Sequence, residues 1–234
     1  MNRYVSYLTS YPKTLAATLL FGYPIANILY LHWSLSRTIQ HEGPKRLKRP
    51  SRNKISSIPE EAFSADYFMV HDCAHRSIPA PKTPNLSLDD LVTLYLKHTM
   101  SLFSRLPQAY LLKTISDPEE RKTFDTSYIS TLDFKVGDLV HGIYRVVARS
   151  EGRVEFEVKP LGVVKGGRLV IAIEKVGEEV VCSSETVMWK AVGEKGLLPL
   201  EKGFARFMHE IASWGLLRSG TKYLMTLEEK NSEV

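Results

Sequence analysis

Residues 136–160, VGDLVHGIYRVVARSEGRVEFEVKP, and 166–190, GGRLVIAIEKVGEEVVCSSETVMWK, decide the fold. Val154, Phe156 and Val158 alternate with Arg153, Glu155, Glu157 and Lys159. That period of two gives a strand one buried and one wet face. The preceding segment supplies a partner. Val140, Tyr144, Val146 and Ala148 share one of its faces, and His141, Arg145 and Arg149 the other. Ser150-Glu151-Gly152 joins the two, with a glycine able to take positive φ. Arg168–Glu174 reads as a third strand, introduced by Gly166-Gly167. Val176-Gly177-Glu178 then turns the chain into a fourth, Val180–Trp189. Four strands on tight turns form an antiparallel meander, because parallel neighbours need long crossovers. The fourth strand reads either way. Val181, Ser183, Glu185, Val187 and Trp189 lie on one face, and Val180, Cys182, Ser184, Thr186 and Met188 on the other. If the first face turns inward, Glu185 is a carboxylate in an apolar bowl.

Before the meander, Tyr67–Ile78 reads as a strand ended by Pro79 and Pro81. Ser87-Leu-Asp-Asp90 resembles a capping box and opens a helix. Leu88, Leu91, Val92, Tyr95, Leu96, Thr99, Met100 and Phe103 follow at helical spacing, with Leu94 and Leu102 on a further face. So apolar a helix is expected in the core. Pro107 ends it, Gln108–Ile115 reads as a second helix, and the chain restarts after Ser116-Asp117-Pro118. After the meander, Leu200, Phe204, Phe207, Met208, Ile211 and Trp214 mark a C-terminal amphipathic helix, with Gly220 as its cap and a frayed tail.

The N-terminal side differs in character. Residues 14–35, TLAATLLFGYPIANILYLHWSL, contain no Asp, Glu, Lys or Arg. That is long enough for a bilayer-crossing helix. Tyr11, Tyr30 and Trp33 sit near its ends, where amphipathic rings favour the interface. Pro24, Asn27 and His32 fit a helix packed on the domain instead. Lys45, Arg46, Lys48, Arg49, Arg52 and Lys54 follow closely. This excess on the C-terminal side puts the main domain in the cytosol by the positive-inside rule, on the endoplasmic reticulum membrane. The expected organisation is an apolar membrane segment over 1–39, a basic proline-containing tether over 40–62, and one α+β domain over 63–234.

Composition narrows the function classes. With 234 residues, 44% of them hydrophobic, the chain affords one sizeable core. The two cysteines, Cys73 and Cys182, make no disulfide framework. The net charge is +5, but the six cations of the tether account for all of it. The basic balance therefore describes a linker suited to anionic headgroups, and no nucleic-acid partner is expected. No phosphate-binding glycine loop or G-x-S-x-G elbow is present. HDCAH, His71–His75, invites a metal reading. On a strand, however, residues four apart are separated by roughly 13 Å, too far to share one ion. No metal and no cofactor are expected.

The order strand, long helix, four strands, helix resembles two architectures. One is the hot-dog fold, a curved antiparallel sheet wrapped around one helix. The other is the helix-grip fold, in which the sheet closes over a long C-terminal helix. Both imply an apolar ligand between sheet and helix, and the hot-dog resemblance implies a homodimer. The segments LDFKVGDLVHGIYRVV, GGRLVIAIE, SETVMW and PLEKGFARFMHEIASW resemble small proteins of fungal secondary-metabolite gene clusters. Some of these are cofactor-free cyclases, including catalysts of intramolecular Diels–Alder closure. The resemblance implies a cyclase or isomerase acting on an apolar biosynthetic intermediate. The hot-dog order implies acyl-thioester chemistry as the alternative, and a non-catalytic lipid or metabolite carrier is a third.

The candidate residues are polar or aromatic groups expected to face the cavity. Tyr144 lies on the apolar face of its strand, and Glu185 stands inside on one reading. A buried Glu or Tyr there acts as acid or hydrogen-bond donor, because desolvation keeps it neutral. Trp189 offers a stacking surface. His98 interrupts the core helix, and His209 and Trp214 lie on the C-terminal helix. For each the plainer alternative is structural: a core aromatic, a satisfied histidine or a solvated strand carboxylate.

Overall fold

The computed structural model describes residues 22–46 and 55–232. The chain is α+β, with a seven-stranded curved antiparallel sheet and a long C-terminal helix. In chain order the elements are α1 (Tyr23–Ser36), β1 (Gln40–Arg46), β2 (Tyr67–Pro79), α2 (Leu88–Phe103), α3 (Pro107–Ile115), α4 (Pro118–Arg121) and α5 (Thr126–Thr131). They are followed by β3 (Leu139–Val140), β4 (Tyr144–Ser150), β5 (Arg153–Val158), β6 (Gly166–Val176), β7 (Glu179–Ala191) and α6 (Gly203–Ser232). The strand order is β1-β2-β7-β6-β5-β4-β3, every pairing antiparallel. The meander is therefore continuous from β3 to β7, and β2 closes against β7.

The sheet's concave side packs on α2 and α6. Ser87 caps α2: its Oγ accepts the Asp90 N–H at 3.1 Å and donates to the Asp90 carboxylate at 2.6 Å. Such a cap stabilises by about 1 kcal/mol. Leu91, Val92, Tyr95, Leu96, Thr99, Met100 and Phe103 are buried, as their spacing requires. Each large apolar side chain so placed stabilises by about 2 kcal/mol. Val154, Phe156, Ile171, Ile173 and Cys182 meet them from the sheet. Burial pushes the Cys182 thiol up to about 12, so it is packing material and not a nucleophile.

Four expectations are corrected. First, α6 does not stop at Gly220 but continues to Ser232. Gly220 lies mid-helix, where a Cβ would stand 2.1 Å from Tyr95 Cε2, so the glycine lets the two helices approach. Second, His141 is not on a solvated face. β3 ends after two residues in a turn with positive φ at His141 (53°) and Gly142 (64°), which buries the imidazole. Its Nε2 bonds Ser104 Oγ at 2.9 Å, and burial depresses the ring to about 4. Third, the convex face of β5 is not wet. Glu155 is buried there beneath residues 55–63, accepting N–H bonds from Ser56 and Ser57 and one from Arg153. Ile58 and Ala62 of that cover pack on Met69, Val187 and Trp189.

Fourth, residues 40–46 of the expected tether form β1, an added strand along β2. Residues 14–21 of the apolar segment and 47–54 of the basic run lie outside the described residues. Among the described residues no helix is long and apolar enough to cross a membrane. α1 ends docked on the domain, with Leu35 buried in the main core.

Candidate functional site

The register of β2 with β7 places the site. Thirteen residues pair without a bulge, and Asp72 stands opposite Thr186. Side chains alternate, so Val70, Asp72, Ala74 and Ile78 face the helices while Met69, His71 and Cys73 face away. A carboxylate thus enters the concave side, in a row whose other polar member is Arg76, which donates to Arg218 O and Thr221 Oγ1 of α6. The carboxylate is buried, at 3% exposure.

Two histidines hold it. His41 of β1 reaches Asp72 Oδ1 with Nε2 at 2.7 Å, and His209 of α6 reaches Oδ2 with Nε2 at 3.3 Å. Burial pushes the Asp72 carboxyl up, but the bonds from His209 and His41 outweigh it and hold the group well below the usual carboxylate range. An ionised carboxylate only accepts, so both Nε2 atoms carry the proton. In the neutral ring, the nitrogen that then lacks a proton is Nδ1 of His209. Trp214 packs against His41 and His32, 4.8 Å from the His41 ring and 5.0 Å from the His32 ring. His32 in turn bonds Glu210 Oε2 at 3.1 Å, and Arg206 bonds the other oxygen at 2.8 Å.

His209 also lines an apolar cavity between sheet and helices. α6 gives it His209, Ala212, Ser213, Leu216 and Leu217, one face of a helix; α2 gives Tyr95, Thr99, Met100 and Phe103. The sheet adds Tyr144, Val158, Leu169, Ile171, Ser184, Thr186 and Met188. The space open to the centre of a water-sized sphere is about 110 Å³. A dry apolar void of about 150 Å³ takes up benzene. The cavity thus suits one small ring or the end of a longer apolar chain. Tyr144 is pushed up to about 12 by burial and stays a neutral hydrogen-bond donor. Its hydroxyl and those of Ser184, Thr186 and Ser213 have no hydrogen-bond partner among the described residues.

Of the residues read from sequence, the structure brings Tyr144 and His209 to this cavity and not the others. Glu185 lies opposite Cys73 on the convex side, bonded to His71 Nε2 at 3.1 Å with Arg153 at 3.8 Å. It is buried, but not in the bowl. Trp189 is on the same convex side, close against Gly166 and under the Arg168 guanidinium. His98 bonds Ser219 at 2.9 Å and stacks on Tyr223 at 4.3 Å, in a separate shallow depression. Trp214 supports the histidines without lining the cavity. His71 and His75 take different partners, Glu185 and Gln40.

Asp72 and His41 are the residues of the candidate site that sequence reasoning missed. The signal for Asp72 was parity: it alternates in step with Val70, Ala74 and Ile78. His41 carried none, because its strand lies in a polar, proline-containing segment.

No protein family and no characterised protein matches the chain. Among solved structures it is similar to CalU16 from Micromonospora echinospora, at 9% identity over 82% of this chain and 98% of that one, with a TM-score of 0.32. A likeness of that degree carries no argument about function.

Proposed function

We propose that the chain is a cofactor-independent isomerase or cyclase acting on an apolar, unsaturated carbonyl compound in secondary metabolism. The observation that carries this reading is His209, one ring bonded to a buried ionised Asp72 and lining an apolar cavity. His209 Nδ1 removes a proton from carbon next to the carbonyl or its conjugated extension. The imidazolium that forms is stabilised by the Asp72 charge, in the manner of a histidine–aspartate pair. The Tyr144 hydroxyl donates to the substrate oxygen as negative charge collects there. Returning the proton to another carbon gives an isomer. If the enolate carbon instead attacks an electrophile in the same molecule, a ring closes and the proton goes to the resulting anion. Either way the product has the mass of the substrate, and no oxidant or cofactor takes part.

The helix-grip arrangement is the finer fold reading that we favour over the hot-dog one. It is supported by β2 pairing with β7 and by α6 lying across the concave face as the cavity's wall.

The test uses apolar extracts from a host expressing the neighbouring genes, incubated with the full chain and followed by mass spectrometry. A product of unchanged mass, absent with His209→Gln, is the expected result. Release of free thiol from acyl-CoA would replace this reading with a thioesterase. Retention of a compound without conversion would leave a carrier.

A further inference from the structure

His209 and Tyr144 stand at opposite ends of the cavity. His209 is bonded to Asp72, which faces Thr186 across the β2–β7 pairing. Tyr144 lies on β4, three strands beyond β7, in the row Met188, Gly167, Val158, Tyr144. Three strand spacings come to about 14 Å along the curved sheet, and less straight across the bowl. The helix side gives a similar span. Seven residues on from His209, Leu216 packs on the Phe103 cluster that also takes up Tyr144. Seven residues of helix advance about 10 Å.

Between the ends the wall is apolar, with Leu169 and Ile171 from β6, Met100 from α2 and Ala212 from α6. The open space of about 110 Å³, spread over about 10 Å, leaves a cross-section of about 11 Å² to the centre of a water-sized sphere. That is room for one extended chain, not for a chain folded on itself. An extended chain advances about 1.2 Å per bond, so about eight bonds fill the span.

We propose that the site seats an unbranched conjugated carbonyl chain lengthwise, its oxygen on Tyr144 and its far allylic carbon at His209, and shifts a double bond rather than closing a ring. The orientation rests on the proton-transfer role proposed for His209. Over that distance only conjugation carries negative charge from a carbon at His209 to an oxygen at Tyr144. His209 Nδ1 takes a proton from the allylic carbon, and the electron pair of that C–H bond moves along the chain to the carbonyl oxygen. The imidazolium returns the proton to the chain carbon two places nearer the carbonyl, so the last double bond moves one place outward. A chain at full stretch cannot bring two of its own carbons together, which is why this seat selects isomerisation over cyclisation.

The experiment uses the full chain and unbranched methyl dienones from octadienone to dodecadienone, with the ring enone carvone as the compact probe. Affinity should rise about tenfold for every two carbons added and level off once the span is filled. The dienone absorbance should shift to the red on binding, and Tyr144→Phe should abolish the shift. In heavy water, deuterium should enter the far allylic carbon with wild type and not with His209→Gln. Carvone bound as tightly as decadienone, or an affinity indifferent to length, overturns the lengthwise seat. Deuterium entering only beside the carbonyl, again dependent on His209, overturns it too while leaving His209 as a base. Length-dependent binding with the Tyr144 shift but no deuterium uptake upholds the seat and removes the catalytic reading instead.

Discussion

Asp72 of β2 and His209 of α6 meet at 3.3 Å although 137 residues separate them. Neither is interpretable alone. Without Asp72, His209 is one histidine on a helix face; without His209, Asp72 is a carboxylate among core residues. Together they place an imidazole backed by a buried carboxylate at the edge of an apolar space.

In the proposed mechanism, Asp72→Asn removes the charge that stabilises the imidazolium and changes which ring nitrogen is protonated. We expect kcat to fall about 10²-fold or more with KM little altered. Steady-state kinetics on the substrate identified by extraction decides it. An equal fall in binding would make Asp72 a structural residue only.

The same carboxylate sets an acid limit on stability. Its folded pKa lies below the unfolded value of about 3.9. Its contribution is therefore fully present above that value and is lost as pH falls below it. Urea midpoints measured downward from pH 6 should drop more steeply below about pH 4 in wild type than in Asp72→Asn. Parallel curves would mean that the ion pairing contributes nothing.

Tyr144→Phe should lower kcat about tenfold or more while leaving the melting temperature near wild type, because the ring keeps its packing. With the phenol at about 12, no alkaline limb attributable to it should appear below about pH 11. Loss of activity with a midpoint near pH 9 that disappears in Tyr144→Phe would overturn this.

Glu185→Gln tests the two sides of the sheet. The side chain bonds His71 on the convex face. Its replacement should cost about 1–3 kcal/mol of stability and leave kcat per folded molecule unchanged. A selective loss of kcat would return Glu185 to the site.

Gly220→Ala sets helix propensity against sterics. Alanine favours the helix by about 1 kcal/mol. The new Cβ, however, meets the Tyr95 ring at 2.1 Å. Net destabilisation of about 1–3 kcal/mol is expected, partly relieved when Tyr95→Leu is added. Denaturation of the four corners of this cycle measures it.

The meander and α2 were legible because their hydrophobic periods report burial directly. Residues 153–158 alternate, and Leu91 to Phe103 recur at helical spacing. What escaped the sequence depended on partners far along the chain. Period-two reading leaves the choice of inner face open on β7, and only pairing with β2 settles that Thr186 points in and Glu185 out. Glu155 looked solvated because its cover, residues 55–63, carries no periodicity. Gly220 looked like a helix end because its reason, the Tyr95 ring, lies on another helix. Tyr144 and His209 were found because each lies on an element whose core face was already clear.

β1 has a practical consequence. It lies along the outer side of β2 and carries the shorter of the two bonds to Asp72. Trimming the chain to its better-patterned part, from about residue 60, would look like a route to a more tractable protein. It would instead bare the stretch of β2 from Val70 to His75 as an open edge, inviting strand-to-strand aggregation, and would leave His209 as the remaining histidine on the carboxylate. An insoluble or altered fragment would then say nothing against the proposed function.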